Sequence, residues 1–308
     1  MARAKGLIMA SSGALLWGVS GTVAQHLFQQ VHIPAAWLVT LRLMISGAVF
    51  LLLSMRQEGS KVWKIWLDGK FIGQILIFGV FGMLGVQFTY FASIESGNAA
   101  IATLLQYLAP LFILIYSIIW KKTRLFLMDF IGAVLALAGT YFLLTGGDSS
   151  QLTVSPKGFI WGLMSGISLA FYTLYSGPLL KRCSVQVIMG WGMLVGGAGM
   201  NLIHPIWAAP SIPWSPSTIG SILFVVLLGT LAAFYLYIGS LRHIEPHEAS
   251  LLSCTEPISA IISSVIWLSV PFNYFQILGA GLIVLMTIIV SIKPVKRSES
   301  SAQETSTL

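Results

Sequence analysis

The sequence predicts an all-α polytopic membrane protein, with ten transmembrane helices arranged as two inverted five-helix repeats. Three observations predict it. Of 308 residues, 9% are charged and 56% are hydrophobic, too few charges to clothe a water-facing surface, which usually draws on about a quarter of the chain. Ten apolar stretches each reach roughly the 20 residues needed to cross about 30 Å of hydrocarbon. The chain also matches itself when displaced by 147 residues.

The predicted spans run over 6–28, 33–55, 71–93, 97–119, 126–145, 158–180, 186–206, 218–240, 247–268 and 273–292. With the N-terminus in the cytoplasm, 15 of the 17 Lys and Arg fall on that side: Arg3, Lys5, Arg56, Lys61, Lys64, Lys70, Lys121, Lys122, Arg124, Lys181, Arg182, Arg242, Lys293, Lys296 and Arg297. Lys157 alone falls outside and Arg42 lies within a span. One missed span would scramble this bias, so it supports both the count and the orientation, with both termini cytoplasmic. The segment 205–218 carries Trp207 and Trp214 among four prolines and no Lys or Arg, as expected of an external loop at headgroup level. The polar tail 298–308 is expected to be disordered. Arg3, Lys5 and the following apolar run also look like a cleaved signal peptide, but the repeat claims that segment as structure.

At the 147-residue displacement, 78–140 aligns with 225–287 without a gap and gives 16 identities in 63 pairs, where chance in such apolar sequence gives roughly five. Ala102, Leu104, Leu105 and Pro110 match Ala249, Leu251, Leu252 and Pro257. Tyr90 matches Tyr237, Trp120 matches Trp267, and Lys5-Gly6 opens the first half as Lys157-Gly158 opens the second. The expected units are therefore 1–147 and 148–297. Five spans per half force the second to insert upside down, and the loop charges agree: Lys121, Lys122 and Arg124 correspond to Leu268, Ser269 and Pro271, while Glu95 corresponds to Arg242. Inverted halves can exchange conformations and expose one central site to either side.

The net charge of +7 is dispersed in short runs between apolar stretches, which reads as topology rather than as a nucleic-acid surface. Cys183 and Cys254 show no CxxC spacing, so neither a disulfide nor a metal site is expected. Histidines 26, 32, 204, 243 and 247 fall at predicted edges or loops and receive no role. No phosphate loop is present and no cofactor is expected. A lipid-modifying intramembrane enzyme would need a nucleophile and base, or a metal set, converging near one interface, and no such cluster is visible. A passive channel is the other rival.

Leu16-Trp17-Gly18 in the first span, Ala102-Thr103-Leu104-Leu105 running to Ala109-Pro110 in the fourth, and Ala249-Ser250-Leu251-Leu252 running to Glu256-Pro257 in the ninth resemble the drug/metabolite transporter superfamily, specifically its EamA-type ten-helix members. The resemblance covers nearly the whole chain. It implies a secondary transporter of small molecules, often an exporter of amino acids, other metabolites or toxic compounds, with a cavity between the halves lined by helices 1, 3, 4, 6, 8 and 9. Family members commonly carry Gly-Glu after helices 4 and 9, where this chain has Lys121-Lys122 and Leu268-Ser269.

Two ionisable residues lie near mid-span, Arg42 and Glu256, each nine residues into its span. A charge there costs about 2.5–3.5 kcal/mol on the insertion scale, so each is expected to face protein or water. A direct ion pair and separate roles as substrate anchors are both open, as is purely structural service. Glu256 precedes Pro257, whose missing donor frees a carbonyl, and is the candidate for proton coupling. Polar side chains at helical spacing add cavity candidates: Gln87 and Tyr90 in span 3, Thr103, Gln106 and Tyr107 in span 4, and Ser165, Ser168, Tyr172 and Tyr175 in span 6. Tyr237 joins them as the counterpart of Tyr90. The bland alternative is interhelical bonding worth about 0.6 kcal/mol each. Trp17 and Trp191 are packing residues or stacking faces for an aromatic substrate. The expected partners are a small-molecule substrate and the bilayer, with monomer and homodimer both open.

Overall fold

A backbone N–H or C=O in hydrocarbon has no solvent partner, so each span must close its own hydrogen bonds. The computed structural model satisfies this with helix throughout; it describes residues 2–122, 127–148 and 152–292, and among these there is no strand. Arg124, Lys293, Lys296, Arg297 and the tail 298–308 lie outside the described residues.

Among the described residues, ten helices are long and apolar enough to cross a membrane. They are α1 (Ala2–Gln29), α2 (Ala35–Glu58), α3 (Gly69–Ser96), α4 (Ala99–Ile119), α5 (Leu127–Thr145), α6 (Pro156–Leu180), α7 (Val185–Ile203), α8 (Pro216–Ser240), α9 (Pro246–Leu268) and α10 (Tyr274–Ile292). Their ends alternate between a near face, where α1 begins, and a far face. The described Lys and Arg other than Arg42 gather at the near-face ends of the helices and their connections, with Lys157 the exception.

Where the sequence suggested a plain charged loop after α2, the chain continues as a 3₁₀ segment, Gly59–Leu67. Its three-residue period puts Val62 and Ile65 inward, both fully buried, and leaves Lys61 and Lys64 exposed. Such an element suits an interface, apolar beneath and cationic above.

The packing order is legible as pairs. α5 packs on α10 and α2 on α7; α1 packs on α8 and α9 as α6 packs on α3 and α4. At the far face α1 also meets α3 and α4, and polar side chains fasten the contact: Gln25 Oε1 accepts from the Ala99 N–H at 2.9 Å and Gln29 Nε2 donates to the Gly97 carbonyl at 2.6 Å, while Glu95 of α3 accepts from the Ala35 N–H at the start of α2 at 2.9 Å. α6 makes no comparable contact with α8 or α9.

At the near face Asp68 accepts from the backbone N–H groups of Lys70 and Phe71, capping α3, and pairs with Arg182, whose guanidinium lies 4.4 Å from the centre of the Phe71 ring. The Arg182 bond first, then the Phe71 and Lys70 N–H groups, hold the Asp68 carboxyl below the usual carboxylate range. A depressed native value adds stability above the unfolded value and loses it as pH falls through the native one. Asp68→Asn is expected to lower Tm modestly at pH 7, the gap to wild type closing below about pH 4. Asp68→Ala loses the cap as well and should lie lower at every pH; differential scanning fluorimetry reads both.

Candidate functional site

Pro110 and Pro257 interrupt α4 and α9 at equivalent places. α4 runs as Ala99–Gln106 and then Ala109–Ile119, and α9 as Pro246–Ser253 and then Thr255–Leu268. Pro257 cannot donate to the carbonyl of Ser253, one turn earlier. Tyr107, at the break in α4, supplies the missing donor: its hydroxyl bonds the Ser253 carbonyl at 2.6 Å and lies 3.2 Å from Glu256 Oε2. The break in α4 therefore supplies the donor that the break in α9 lacks, and Glu256 sits where they meet, partly buried.

Arg42, on α2, is held from a third direction. α8 contains a π-helical segment, Phe224–Ala232, matching another in α3, Phe78–Leu84, under the same 147-residue displacement. Such wide turns leave backbone groups open to outside partners. The Arg42 Nη2 donates to the carbonyl of Gly229 at 3.2 Å and its Nε to Thr230 Oγ1 at 2.5 Å, while Thr230 passes its own proton to the Val225 carbonyl. Ser20 of α1 occupies the space a Cβ at 229 would need, so only glycine lets the three helices meet here. The guanidinium stands 4.8 Å from the centre of the Phe91 ring. It is buried, and its Nη1 has no partner among the described residues.

Arg42 and Glu256 form no direct ion pair, yet they lie within electrostatic reach of each other, with Tyr90 in reach of both. Tyr107 and Tyr237 feel Glu256, and Tyr172 feels Tyr237. Trp17 of α1 meets Phe234 edge-on at 4.9 Å and Tyr237 at 5.1 Å between ring centres. The structure thus gathers Trp17, Arg42, Tyr90, Tyr107, Tyr172, Tyr237 and Glu256 around one centre, drawn from both halves.

Other candidates have local partners. Tyr90 bonds Thr103 at 2.9 Å, and Gln106 Nε2 donates to Ser165 Oγ at 2.7 Å. Tyr172 stacks on Phe78, its hydroxyl 3.3 Å from Met189 Sδ. Gln87 is buried in α3. Tyr175 stacks on Phe171, which meets the exposed Phe81, within the α3–α6 seam. Trp191 stands apart: its Nε1 donates to the Val62 carbonyl at 3.0 Å and its ring contacts Trp63 and Trp66, under the 3₁₀ segment near the near face.

Several residues carry the site without having been singled out. Thr230 and Phe91 hold Arg42. Thr22 bonds Ser263 at 2.7 Å and lies 3.2 Å from Ser264, while Ser259 donates to the Glu256 carbonyl at 2.8 Å. Gly18 lies so close to Ser259 and the Glu256 carbonyl that a Cβ could not fit, which locks α1 against α9. The serines at 259 and 263 show the i, i+4 spacing of one helix face, a usable signal; nothing local marks Thr230 or Phe91.

Comparison with known proteins places this geometry. The model of the EamA-like transporter family matches residues 4–145 and again 156–292. The uncharacterized inner membrane transporter YicL of Salmonella typhimurium is 31% identical over 299 residues, covering 96% of this chain and 98% of that protein. The aromatic amino acid exporter YddG of Ancylobacter novellus is 24% identical, covering 86% and 90%. A solved crystal structure shares the fold with a TM-score of 0.62 at 22% identity, covering 93% of this chain and 96% of its own. Matched in both halves by one family, and by a relative along almost its full length, this multi-pass membrane protein belongs to the EamA-like transporter family.

Proposed function

We propose that this chain is a secondary transporter that exports small zwitterionic, amino-acid-like molecules with an apolar or aromatic side chain, by alternating access of two inverted halves with both termini cytoplasmic. The observation that carries the reading is the Arg42 guanidinium, with an Nη1 unpartnered by the described residues, within electrostatic reach of Glu256 across a ring of tyrosines. A substrate carboxylate would take the guanidinium, an ammonium the carboxylate, and an aromatic side chain the face of Trp17. The name of the Ancylobacter relative is in keeping with this.

Inversion is supported by five spans per half and by the loss of the Lys121-Lys122 charges at the matching Leu268-Ser269. Alternation is supported by the unequal faces: α1 closes on α3 and α4, while α6 makes no comparable contact with α8 or α9, as expected if the near face is cytoplasmic and open.

Counterflow in proteoliposomes tests the function. Labelled phenylalanine or tryptophan should accumulate against unlabelled internal substrate, saturably, and be displaced by zwitterions better than by the corresponding amines. Flux that neither saturates nor shows counterflow would make the protein a channel. In a background lacking Cys183 and Cys254, Lys121→Cys and Ser269→Cys should label from opposite sides of the membrane; labelling from one side removes the inversion and with it the mechanism.

A further inference from the structure

A crevice opens at the near face where α8 leaves its neighbours. The π segment of α8 packs along α2, whereas the following stretch, Ala233–Ser240, stays on α1 and reaches α2 through Phe234 against Phe50. The resulting space of about 140 Å³ is walled by Phe50 and Tyr235, flanked by the amides of Gln57 and Gln186, and mouthed by Lys5, Arg242 and His243, with no acidic residue among the described residues of its lining. Arg42 and Glu256 do not line it.

Charge is the crevice's distinguishing property. Two near-face arginines are paired with acids, Arg3 with Glu248 and Arg182 with Asp68. Lys5 and Arg242 are exposed, and neither makes an ion pair with a described residue. An adjoining hollow of about 440 Å³ shares Arg242 and His243, and of its two acids Glu248 is paired with Arg3 while Glu245 lies 3.2 Å from His247 Nδ1. Two uncompensated cations beside an aromatic wall, in a space too small for the roughly 300–1,000 Å³ of ordinary drug-sized pockets, fit one chemistry: a carboxylate on a short apolar or aromatic body. The crevice also leads somewhere. Phe50 meets Phe234 edge-on at 6.4 Å between ring centres, and Phe234 meets Trp17 at 4.9 Å, so two aromatic contacts separate the mouth from the central cluster.

We propose that this crevice between α1, α2, α7 and α8 is a binding site for small amphipathic carboxylates, held by Lys5 and Arg242. Its service as the cytoplasmic loading site rests on the transport reading above; the binding itself does not.

Isothermal titration of the purified full-length protein tests it, with phenylacetate, phenylacetamide and phenethylamine as probes at low salt. Phenylacetate should bind at least about tenfold tighter than the amide, and Arg242→Gln or Lys5→Gln should each weaken it by roughly tenfold. Arg242→Lys should restore part of the affinity and Lys64→Gln should change nothing. Binding should survive Arg42→Leu, which separates the crevice from the central cluster. The proposal falls if phenylacetate does not bind, binds no better than the amide, or is indifferent to Arg242→Gln. It also falls if native mass spectrometry shows phosphatidylglycerol retained through Arg242 and displacing phenylacetate, since the site would then belong to a lipid headgroup. Binding without any counterflow would leave the site standing and remove only its transport role.

Discussion

Glutamine in place of Glu256 is expected to cut counterflow by at least about tenfold and to abolish the pH dependence of the remainder. The amide keeps the shape of the carboxyl and can still meet the Tyr107 hydroxyl, 3.2 Å away in the native protein. It cannot carry the negative charge or exchange a proton. A hydrogen bond to a charged group contributes about 1.5–3 kcal/mol, which converts to roughly ten- to hundredfold in affinity. Tyr107→Phe separates structure from charge. It strands the Ser253 carbonyl that Pro257 leaves without a donor, at about 1–3 kcal/mol, so it should lower Tm while leaving the shape of the pH profile intact. Proteoliposome counterflow from pH 5.5 to 8.5 reads both variants, and wild-type rates in Glu256→Gln would confine Glu256 to packing.

Arg42→Leu should separate transport from stability in the opposite sense. A buried guanidinium costs about 2.5–3.5 kcal/mol at a helix centre on the insertion scale, and its replacement by an apolar side chain removes that cost along with the bonds to Thr230 and Gly229. Little change in Tm is expected, because a desolvated charge and its partners often sum to near zero. Counterflow of zwitterions should fall by about tenfold or more, as the guanidinium is the proposed anchor for their carboxylate. Lysine should rescue poorly: one ammonium cannot reach the Gly229 carbonyl and Thr230 together while leaving a directed donor for substrate. Full transport by Arg42→Leu would assign the residue to packing.

Span positions, the repeat and the cationic near face were legible because lipid imposes them residue by residue. Around Pro257, local chemistry even foretold an orphaned carbonyl; that Tyr107, 150 residues upstream, would fill it depended on how α4 meets α9. Trp191 shows the limit from the other side. Its sequence left packing and substrate stacking both open, and the 3₁₀ segment folds back and takes its indole N–H at Val62.

Length and apolarity by themselves determined the ten helices among the described residues, since apolar runs of about 20 residues in hydrocarbon must close their own backbone hydrogen bonds as helix. Azimuth was left to the tertiary structure. A helix apolar on every side carries no periodic mark of which face meets protein. Only packing decided that Arg42 would bind the π segment of α8 rather than Glu256, and that Thr230 and Phe91 would hold it there.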